Sequence, residues 1–326
     1  MIPIKPTFED ICNLLDMPKE QASELFSFAD NITKKTKGNL VNVRAIIEFS
    51  NYCRRNCAYC GLNCTNNNLE RYRMAPDEII ETAIEGHKAG YKTVVLQSGE
   101  DGAYTTDMLC HIVKNIKEKT GMAITLSAGE MKEEDYALIR KNGCDRYLLK
   151  HETSDEKLYS QLHPGYSIKD RIKCLETLKK LGFETGGGFM IGLPGQTIET
   201  IAKDLMLIAS IPCDMAGIGP FVPHPDTPLK NANEGDAFLT RKAVAIARIL
   251  LPEANLPATT SLGVINKGER DMVFSGGANV IMKKITPPKY RYMYEIYPVN
   301  HGEIKSIAEE RQEINNLLRQ IGKDYD

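Results

Sequence analysis

The sequence has 326 residues, which suits one large α/β barrel or two smaller domains. Hydrophobic residues make up 42% and charged residues 26%, enough for a sizeable core and an ordinary polar surface. The formal net charge of -2 offers no field for nucleic acid or an anionic membrane. The first residues do not resemble a signal peptide, and no run of about 18 apolar residues predicts a membrane span. We therefore expect a cytoplasmic protein that binds neither nucleic acid nor membranes.

Helical and β-rich segments alternate along the chain after a helical N-terminal stretch that runs from Thr7 to Lys37. Eight β-rich segments, several of them continuous apolar runs typical of buried parallel strands, are expected at Ala45–Ser50, Thr93–Gln97, Ala123–Ser127, Arg146–Lys150, Gly188–Gly192, Met215–Gly219, Ala258–Ser261 and Ala278–Met282. Eight strands alternating with helices favour a (β/α)8 barrel, with a doubly wound open sheet as the alternative.

The expected organisation is a helical extension at residues 1–40, a (β/α)8 TIM barrel at 41–290 and a short helical tail at 291–326. The tail shows no evident partner strand. Tyr290, Tyr294 and Tyr297 recur at helical spacing, which predicts one shared helix face. Because barrel enzymes place their chemistry at the C-terminal ends of the strands, we expect functional residues there.

The most informative local pattern is the loop after the first expected strand, where Cys53, Cys57 and Cys60 are spaced as C-x3-C-x2-C. Thiolates on one short loop can converge on an iron–sulfur cube, and three ligands leave one iron open to a substrate or cofactor. The alternative is a structural zinc site with Cys64 as fourth ligand, although the second C-x2-C pair usual for zinc is missing from the sequence. The other five cysteines are scattered and are expected to be ordinary thiols.

The cysteine motif resembles that of the radical S-adenosylmethionine (SAM) superfamily. Over roughly residues 40 to 300 the chain further resembles the HydE family of [FeFe]-hydrogenase maturases. The segments that carry this resemblance are RYRM (Arg71–Met74), LQSGED (Leu96–Asp101), TLSAGE (Thr125–Glu130), DRYLLKHET (Asp145–Thr153), GLPGQT (Gly192–Thr197), GIGPFVPHPDTP (Gly217–Pro228), LPATTSLG (Leu256–Gly263) and GANVIM (Gly277–Met282). Biotin synthase and methylornithine synthase are looser relatives. Biotin synthase needs a second cluster inside its barrel, and no remaining cysteine is placed to ligate one.

The resemblance implies a [4Fe–4S] cluster on Cys53, Cys57 and Cys60, with SAM bound at the open iron. The side chains that it places against SAM are Tyr59, Gln97, Ser127, Glu152, Arg171 and Met190. A carboxylate at the end of a strand needs a cation, and a guanidinium suits the carboxylate of SAM. A plain Glu152–Arg171 salt bridge is the alternative.

The resemblance also implies a substrate-facing set inside the barrel, which consists of Thr125, Arg146, Thr259, Thr260, Tyr294 and Tyr297. Thr125 and Ser127 share one face of their strand by the period of two. Thr259 and Thr260 are expected within the seventh strand. Lys150 stands where close relatives carry arginine, and the two are not equivalent for bidentate anion contacts.

The activity implied by the resemblance is reductive cleavage of SAM to a 5′-deoxyadenosyl radical. The implied substrate is an iron–sulfur precursor of the hydrogenase diiron subsite. An external electron donor and other hydrogenase-maturation proteins are the expected partners. Two alternatives stay open: a radical SAM amino-acid mutase like methylornithine synthase, and a non-catalytic iron–sulfur redox or sensor protein.

Overall fold

The computed structural model describes residues 2–299, 302 and 305–326. Its strands are β1 (Leu40–Ser50), β2 (Thr93–Ser98), β3 (Ala123–Ser127), β4 (Arg146–Leu148), β5 (Glu184–Ile191), β6 (Met215–Pro220), β7 (Pro257–Ala258), β8 (Val280–Lys284) and β9 (Asp324–Tyr325). Its α-helices are α1 (Phe8–Asp16), α2 (Ser23–Lys37), α3 (Pro76–Lys88), α4 (Thr106–Thr120), α5 (Glu133–Lys141), α6 (Glu156–Leu162), α7 (Ile168–Lys180), α8 (Ile198–Ser210), α9 (Ala237–Leu250), α10 (Thr260–Ile265), α11 (Lys267–Met272), α12 (Pro288–Arg291) and α13 (Ile307–Gln320).

The strands form one parallel sheet in the order β6-β5-β4-β3-β2-β1-β8-β7. Pairing of β1 with β8 bends the sheet into a barrel, which confirms the predicted (β/α)8 class over the doubly wound alternative. Between β6 and β7 a single bridge joins Met215 to Asn255, so the barrel is nearly closed.

Alternate residues of each strand face two different environments. Along β1, Val43 and Ile47 belong to the main apolar core between strands and helices, whereas Arg44 and Glu48 are buried polar residues outside that core. The period of two therefore places a second, more polar layer inside the barrel. The site described below is built at the C-terminal end of this inner layer.

A buried arginine of α9 connects the segments that precede β7 and β8. The Arg248 guanidinium donates to the carbonyls of Gly277 and Ala254 and to the Asn279 side chain, at 2.7 to 2.9 Å. Asn279 in turn donates to the Asn255 side chain at 3.0 Å. Hydrogen bonds of side chains thus join the segments that precede β7 and β8, next to the ladder between these two strands.

The N-terminal helices and the C-terminal segment pack on the outside of the barrel. The predicted helical stretch from Thr7 is interrupted between Asp16 and Ser23, where Pro18 begins a short 3-10 turn. Helices α1 and α2 pack on α8 and α9. The prediction that the tail has no partner strand is wrong, because β9 pairs in parallel with the start of β1.

Several predicted boundaries also differ from the structure. Strand β5 begins at Glu184 rather than Gly188, and β8 covers Val280–Lys284 rather than Ala278–Met282. Strand β7 ends at Ala258, so Thr259 precedes helix α10 and Thr260 begins it, instead of both lying in a strand. Helix α12 ends at Arg291, so the predicted helix face of three tyrosines does not form.

Candidate active site

The cysteine loop leaves the C-terminal end of β1 and is bonded to the ends of β2 and α6. At the end of β2, the Gly99 amide donates to the Ser50 carbonyl at 3.1 Å and the Glu100 amide to Cys53 Sγ at 3.4 Å. The Ala58 amide donates to the Leu162 carbonyl at the end of α6 at 2.9 Å. These bonds hold the three cysteines at the end of the barrel where the sequence predicts chemistry.

Gly99 permits the closest of these approaches. A Cβ atom at this position would lie 2.3 Å from the Tyr52 carbonyl oxygen and 2.7 Å from Cys53 Cβ. Any larger residue would therefore push the cysteine loop away from β2, which explains a glycine at this turn.

The three cysteines are half-buried and lie near one another. Burial, and then the neighbouring Cys53, raise the pKa of Cys57 to about 12. Burial, with Cys57 as a further cause, raises the pKa of Cys60. Such thiols become thiolates only if a cation compensates, as an iron–sulfur cluster does. In the described part of the chain, no three His, Cys, Asp or Glu side chains are grouped for a single metal ion, whereas a cube spreads its thiolates over different irons. The fourth cysteine of this region, Cys64, is exposed.

Tyr59 lies between the second and third cysteines, and its hydroxyl contacts His163 Nε2 at 3.0 Å. Its ring packs against a small apolar cluster, separate from the main core, that includes Met190. The structure therefore brings together two of the residues that the resemblance places against SAM. His163, in the turn after α6, was not singled out in the sequence because a histidine before a proline has no distinctive pattern.

A chain of charges connects the loop after β2 to helix α7. Arg55 lies 2.5 Å from Glu100 and 2.7 Å from Glu130, and Arg171 lies 2.6 Å from the other oxygen of Glu130. Burial opposes ionisation of Glu130, but Arg171 and Arg55 lower its pKa, so it stays charged. The alternative of a Glu152–Arg171 salt bridge is wrong, because Arg171 pairs with Glu130 instead.

Glu152 lies at the C-terminal end of β4 in an unusual backbone conformation. Its φ of 67° lies in the left-handed region, which disfavours a side chain. Hydrogen bonds to β5, from its amide to the Gly188 carbonyl and from the Met190 amide to its own carbonyl, hold it there at 3.1 Å each. Its carboxylate lies 2.9 Å from Lys150 Nζ. Backbone strain of this kind is concentrated at functional sites.

The parts of β5 and β6 that lie next to Glu152 are rich in glycine. Along β5, Gly186 and Gly188 share the inward face with Met190, and Gly217 and Gly219 lie on the same face of β6. A Cβ on Gly188 would lie 2.2 Å from the Gly217 carbonyl oxygen. The backbones of β5 and β6 therefore approach each other more closely at Gly188 than any larger residue would permit.

Inward-facing polar residues of β2 and β3 border the same space. Gln97 donates to the Tyr294 hydroxyl at 3.1 Å, which brings together two predicted site residues. The Thr125 hydroxyl is buried and has no hydrogen-bond partner among the described residues. Ser127 ends the strand on the same face as Thr125 and is partly exposed. A buried hydroxyl without a partner fits a site that binds a polar ligand.

The remaining predicted substrate residues divide into two groups. Tyr294 is buried and bonded to Gln97. Burial raises the pKa of Tyr297, and its hydrogen bonds with Thr260 and Ser261 partly offset this effect. Tyr297 and the α10 N-terminus, with Thr259 and Thr260, therefore meet on the β7–β8 side of the barrel.

Arg146 lies away from this group. Its Nε is 2.6 Å from Glu184, which begins β5, so its charge is compensated at the opposite, N-terminal rim. The predicted substrate role of Arg146 is thus not supported by its position.

The sequence analysis missed a buried ion pair inside the barrel. Glu48 lies 2.7 Å from Lys284, which faces inward at the end of β8, and Glu48 is paired in register with Gln97. Burial raises the pKa of Glu48 to about 7, against the opposing effect of Lys284. The only available signal was a glutamate inside the apolar run of β1.

Three half-buried cysteines at the C-terminal end of a parallel barrel, with charged side chains and glycine-rich strands beside them, are the arrangement of a radical SAM enzyme. The family model described as the Radical SAM superfamily matches residues 47–208. The [FeFe] hydrogenase maturase subunit HydE of Thermotoga maritima is 54% identical over 274 residues, covering 84% of this chain and 78% of the relative. The chain therefore belongs to the HydE family of radical SAM enzymes, which use a [4Fe–4S] cluster and SAM.

Two other similarities are broader. The 3-methylornithine synthase of Methanosarcina acetivorans is 32% identical over 84% of this chain and 78% of its own. A crystal structure of methylornithine synthase (PylB) superposes with a TM-score of 0.87 at 27% identity, over 98% of this chain and 94% of the other. The maturase HydG shares the fold, with a TM-score of 0.83 at 19% identity over 98% of this chain and 73% of the other. No helix of the described residues is long and apolar enough to span a membrane.

Proposed function

We propose that this chain reductively cleaves SAM and acts on an iron–sulfur precursor during assembly of the [FeFe]-hydrogenase diiron subsite. The observation that carries the proposal is the 54% identity to HydE, which covers 84% of this chain. When bound, the reduced cluster supplies the electron that converts SAM to methionine and a 5′-deoxyadenosyl radical.

The residues of the chain have separate tasks in this proposal. Cys53, Cys57 and Cys60 hold the cluster. Glu152 and Arg171 bind the charged methionine end of SAM, since both carry a charge close to the thiols. The other side chains proposed to contact SAM are Tyr59, Gln97, Ser127 and Met190. The glycine-rich parts of β5 and β6 accept the nucleoside, and the enclosed barrel keeps water from the radical.

The substrate is proposed to lie on the remaining walls of the cavity. Thr125 supports this because its buried hydroxyl has no partner in the described chain. Thr259, Thr260, Tyr294 and Tyr297 extend the polar surface toward β8. This arrangement suits a small polar precursor that is held by hydroxyl groups.

An external one-electron donor and other hydrogenase-maturation proteins are the proposed partners. The reaction consumes an electron that no residue of the site supplies, so a reductant must reach the cluster. We further propose that the protein works in the cytoplasm, because such clusters are assembled and kept reduced in a reducing compartment. Nucleic acid is not a proposed partner, since the formal net charge is only -2.

A radical SAM amino-acid mutase is the second candidate, supported by the 32% identity to 3-methylornithine synthase. Incubation with lysine and analysis for a rearranged amino acid would distinguish it. A sensor without turnover is less well supported, because it has no need for the charged side chains of Glu152 and Arg171 close to the cysteines.

The test compares the natural chain with Cys57→Ala and Cys64→Ala under anaerobic conditions. After reconstitution and reduction with dithionite, SAM is added and 5′-deoxyadenosine is quantified. The natural chain and Cys64→Ala should release it, because Cys64 is exposed, whereas Cys57→Ala should lose more than 99% of the activity. Absence of product from the natural chain, with no SAM-induced change in its EPR signal, would refute the enzyme assignment.

A further inference from the structure

Three aromatic rings lie in a row at the end of α6, and the last of them belongs to the cysteine loop. His163 lies between two tyrosines. Its ring is edge-on to Tyr59, with centroids 5.4 Å apart, and is stacked on Tyr159 at 4.1 Å. All three rings are half-buried or buried, and Tyr59 alone belongs to the cysteine loop.

The hydrogen bonds of His163 determine which atoms donate. Its Nδ1 lies 3.2 Å from the Tyr159 carbonyl oxygen, which only accepts, so Nδ1 carries the proton. Its Nε2 is then an acceptor, and the Tyr59 hydroxyl donates to it at 3.0 Å. Burial lowers the pKa of His163 to about 4, which keeps the ring neutral at physiological pH.

Two attachments therefore join the end of α6 to the cysteine loop. The first is the backbone bond from Ala58 to Leu162, and the second is the bond from the Tyr59 side chain to His163. A tyrosine ring held only by apolar contacts can rotate, whereas a directed hydrogen bond and an edge-on ring fix its orientation.

We propose that His163 is a positioning residue, which fixes the Tyr59 ring as one side of the adenine pocket. The inference rests on the proposed function, because it assumes that SAM lies between the cysteine loop and β5. The location supports it, since Tyr59 packs on the apolar cluster that contains Met190. The opposite face of that pocket is formed by the glycine-rich parts of β5 and β6. His163 itself does not line the pocket and acts through Tyr59.

A purely structural role for His163 makes different predictions. If it served only to end α6 and to pack on Tyr159, its replacement would lower stability but leave the affinity for SAM unchanged. Removing the Tyr59 hydroxyl would then have an independent effect. A double-mutant cycle separates these possibilities, because only residues that act through one contact are non-additive.

The experiment uses Tyr59→Phe, His163→Phe, the double variant and His163→Gln, each reconstituted with its cluster. Steady-state release of 5′-deoxyadenosine gives KM for SAM and kcat. We expect His163→Phe to raise KM about tenfold with little change in kcat, because the buried Tyr59 hydroxyl loses its acceptor. The double variant should be no worse than His163→Phe alone. His163→Gln, whose amide oxygen can accept the same bond, should recover KM to within about threefold of the natural chain.

A second readout does not depend on turnover. The near-ultraviolet circular dichroism of the cluster-free chain reports the fixed tyrosine environment, and Tyr59→Phe and His163→Phe should remove overlapping parts of that signal. The inference is overturned if the natural chain cleaves SAM but His163→Phe leaves KM unchanged, or if the two KM effects multiply. A natural chain that neither binds nor cleaves SAM would refute the proposed function itself, and with it the adenine pocket.

Discussion

Glu152 combines a strained backbone with a functional position. A residue other than glycine at φ 67° costs about 1 to 3 kcal/mol, and glycine would be the simplest occupant. A glycine at this position would relieve the strain, but it would supply no carboxylate beside the thiols. The strain is therefore consistent with selection for the side chain rather than for stability.

Replacing Glu152 by glycine and by alanine separates the two effects. Both variants lose the carboxylate and should bind SAM at least tenfold more weakly. Glu152→Gly should nevertheless be about 1 kcal/mol more stable than Glu152→Ala, because alanine keeps the left-handed strain. Urea unfolding of the cluster-free variants measures this difference. Equal stability, or a more stable alanine variant, would show that the backbone is not strained in solution.

Several individual site residues could be predicted from the sequence, but their pairing could not. Cys53, Tyr59 and Glu152 were each identifiable from a short motif of consecutive residues. That Arg171 pairs with Glu130 depends on how far α7 lies from the β3 loop, and this distance is a property of the assembled barrel. His163 was missed because a histidine before a proline has no distinctive pattern.

The ends of neighbouring elements determine the shape of the cysteine loop. Strand β2 supplies the Gly99 contact, α6 supplies Leu162, and the segment after α12 accepts a hydrogen bond from Gly61 at the Ile296 carbonyl. The Met293 carbonyl likewise accepts from the Asn51 side chain at 2.7 Å. The carbonyls of Met293 and Ile296 accept these hydrogen bonds and are not available to a helix. This explains why α12 does not continue through Tyr294, although the tyrosines recur at helical spacing.

Gly99→Ala tests the contact at the end of β2. Its Cβ would overlap the Tyr52 carbonyl, so we expect a loss of about 1 to 3 kcal/mol in stability and a fall of more than half in reconstituted iron. Gly102→Ala is the matched control, because no atom lies within 4 Å of its added Cβ. Iron analysis after identical reconstitution measures the effect. Normal iron content in Gly99→Ala would contradict the close approach.

The whole molecule has two concentric layers with different chemistry. The outer layer of apolar strand faces and helix faces could be predicted from periodicity, and so could the parallel barrel. The inner layer could not, because its ion pairs join residues from different strands, such as Glu48 on β1 and Lys284 on β8. The gap between β6 and β7 and the Arg248 hydrogen bonds also leave no sequence pattern.

The Glu48–Lys284 pair should make the stability of the whole barrel depend on pH. The pKa of Glu48 is about 7 in the folded chain, against an ordinary 4.5, so the folded state holds a proton that the unfolded state releases between these values. The free energy of unfolding should consequently fall as pH rises from about 4.5 to 7, by up to about 3 kcal/mol, and stay low above pH 7. Glu48→Gln carries no titrating group and should lose this contribution. Urea unfolding at pH 5 and pH 7.5 measures the difference.

Glu269→Gln provides the matched control for this prediction. Glu269 is another buried glutamate, and it pairs with Arg241 at 2.6 Å, so its removal leaves the Glu48–Lys284 pair intact. The control should keep the pH-dependent fall that Glu48→Gln loses. If both variants lost it equally, the dependence would come from charges outside the barrel. If both variants kept the fall, Glu48 would be ionised at pH 5 as well as at pH 7.5. The charge of Lys284 would then fully offset the cost of burying the Glu48 carboxylate.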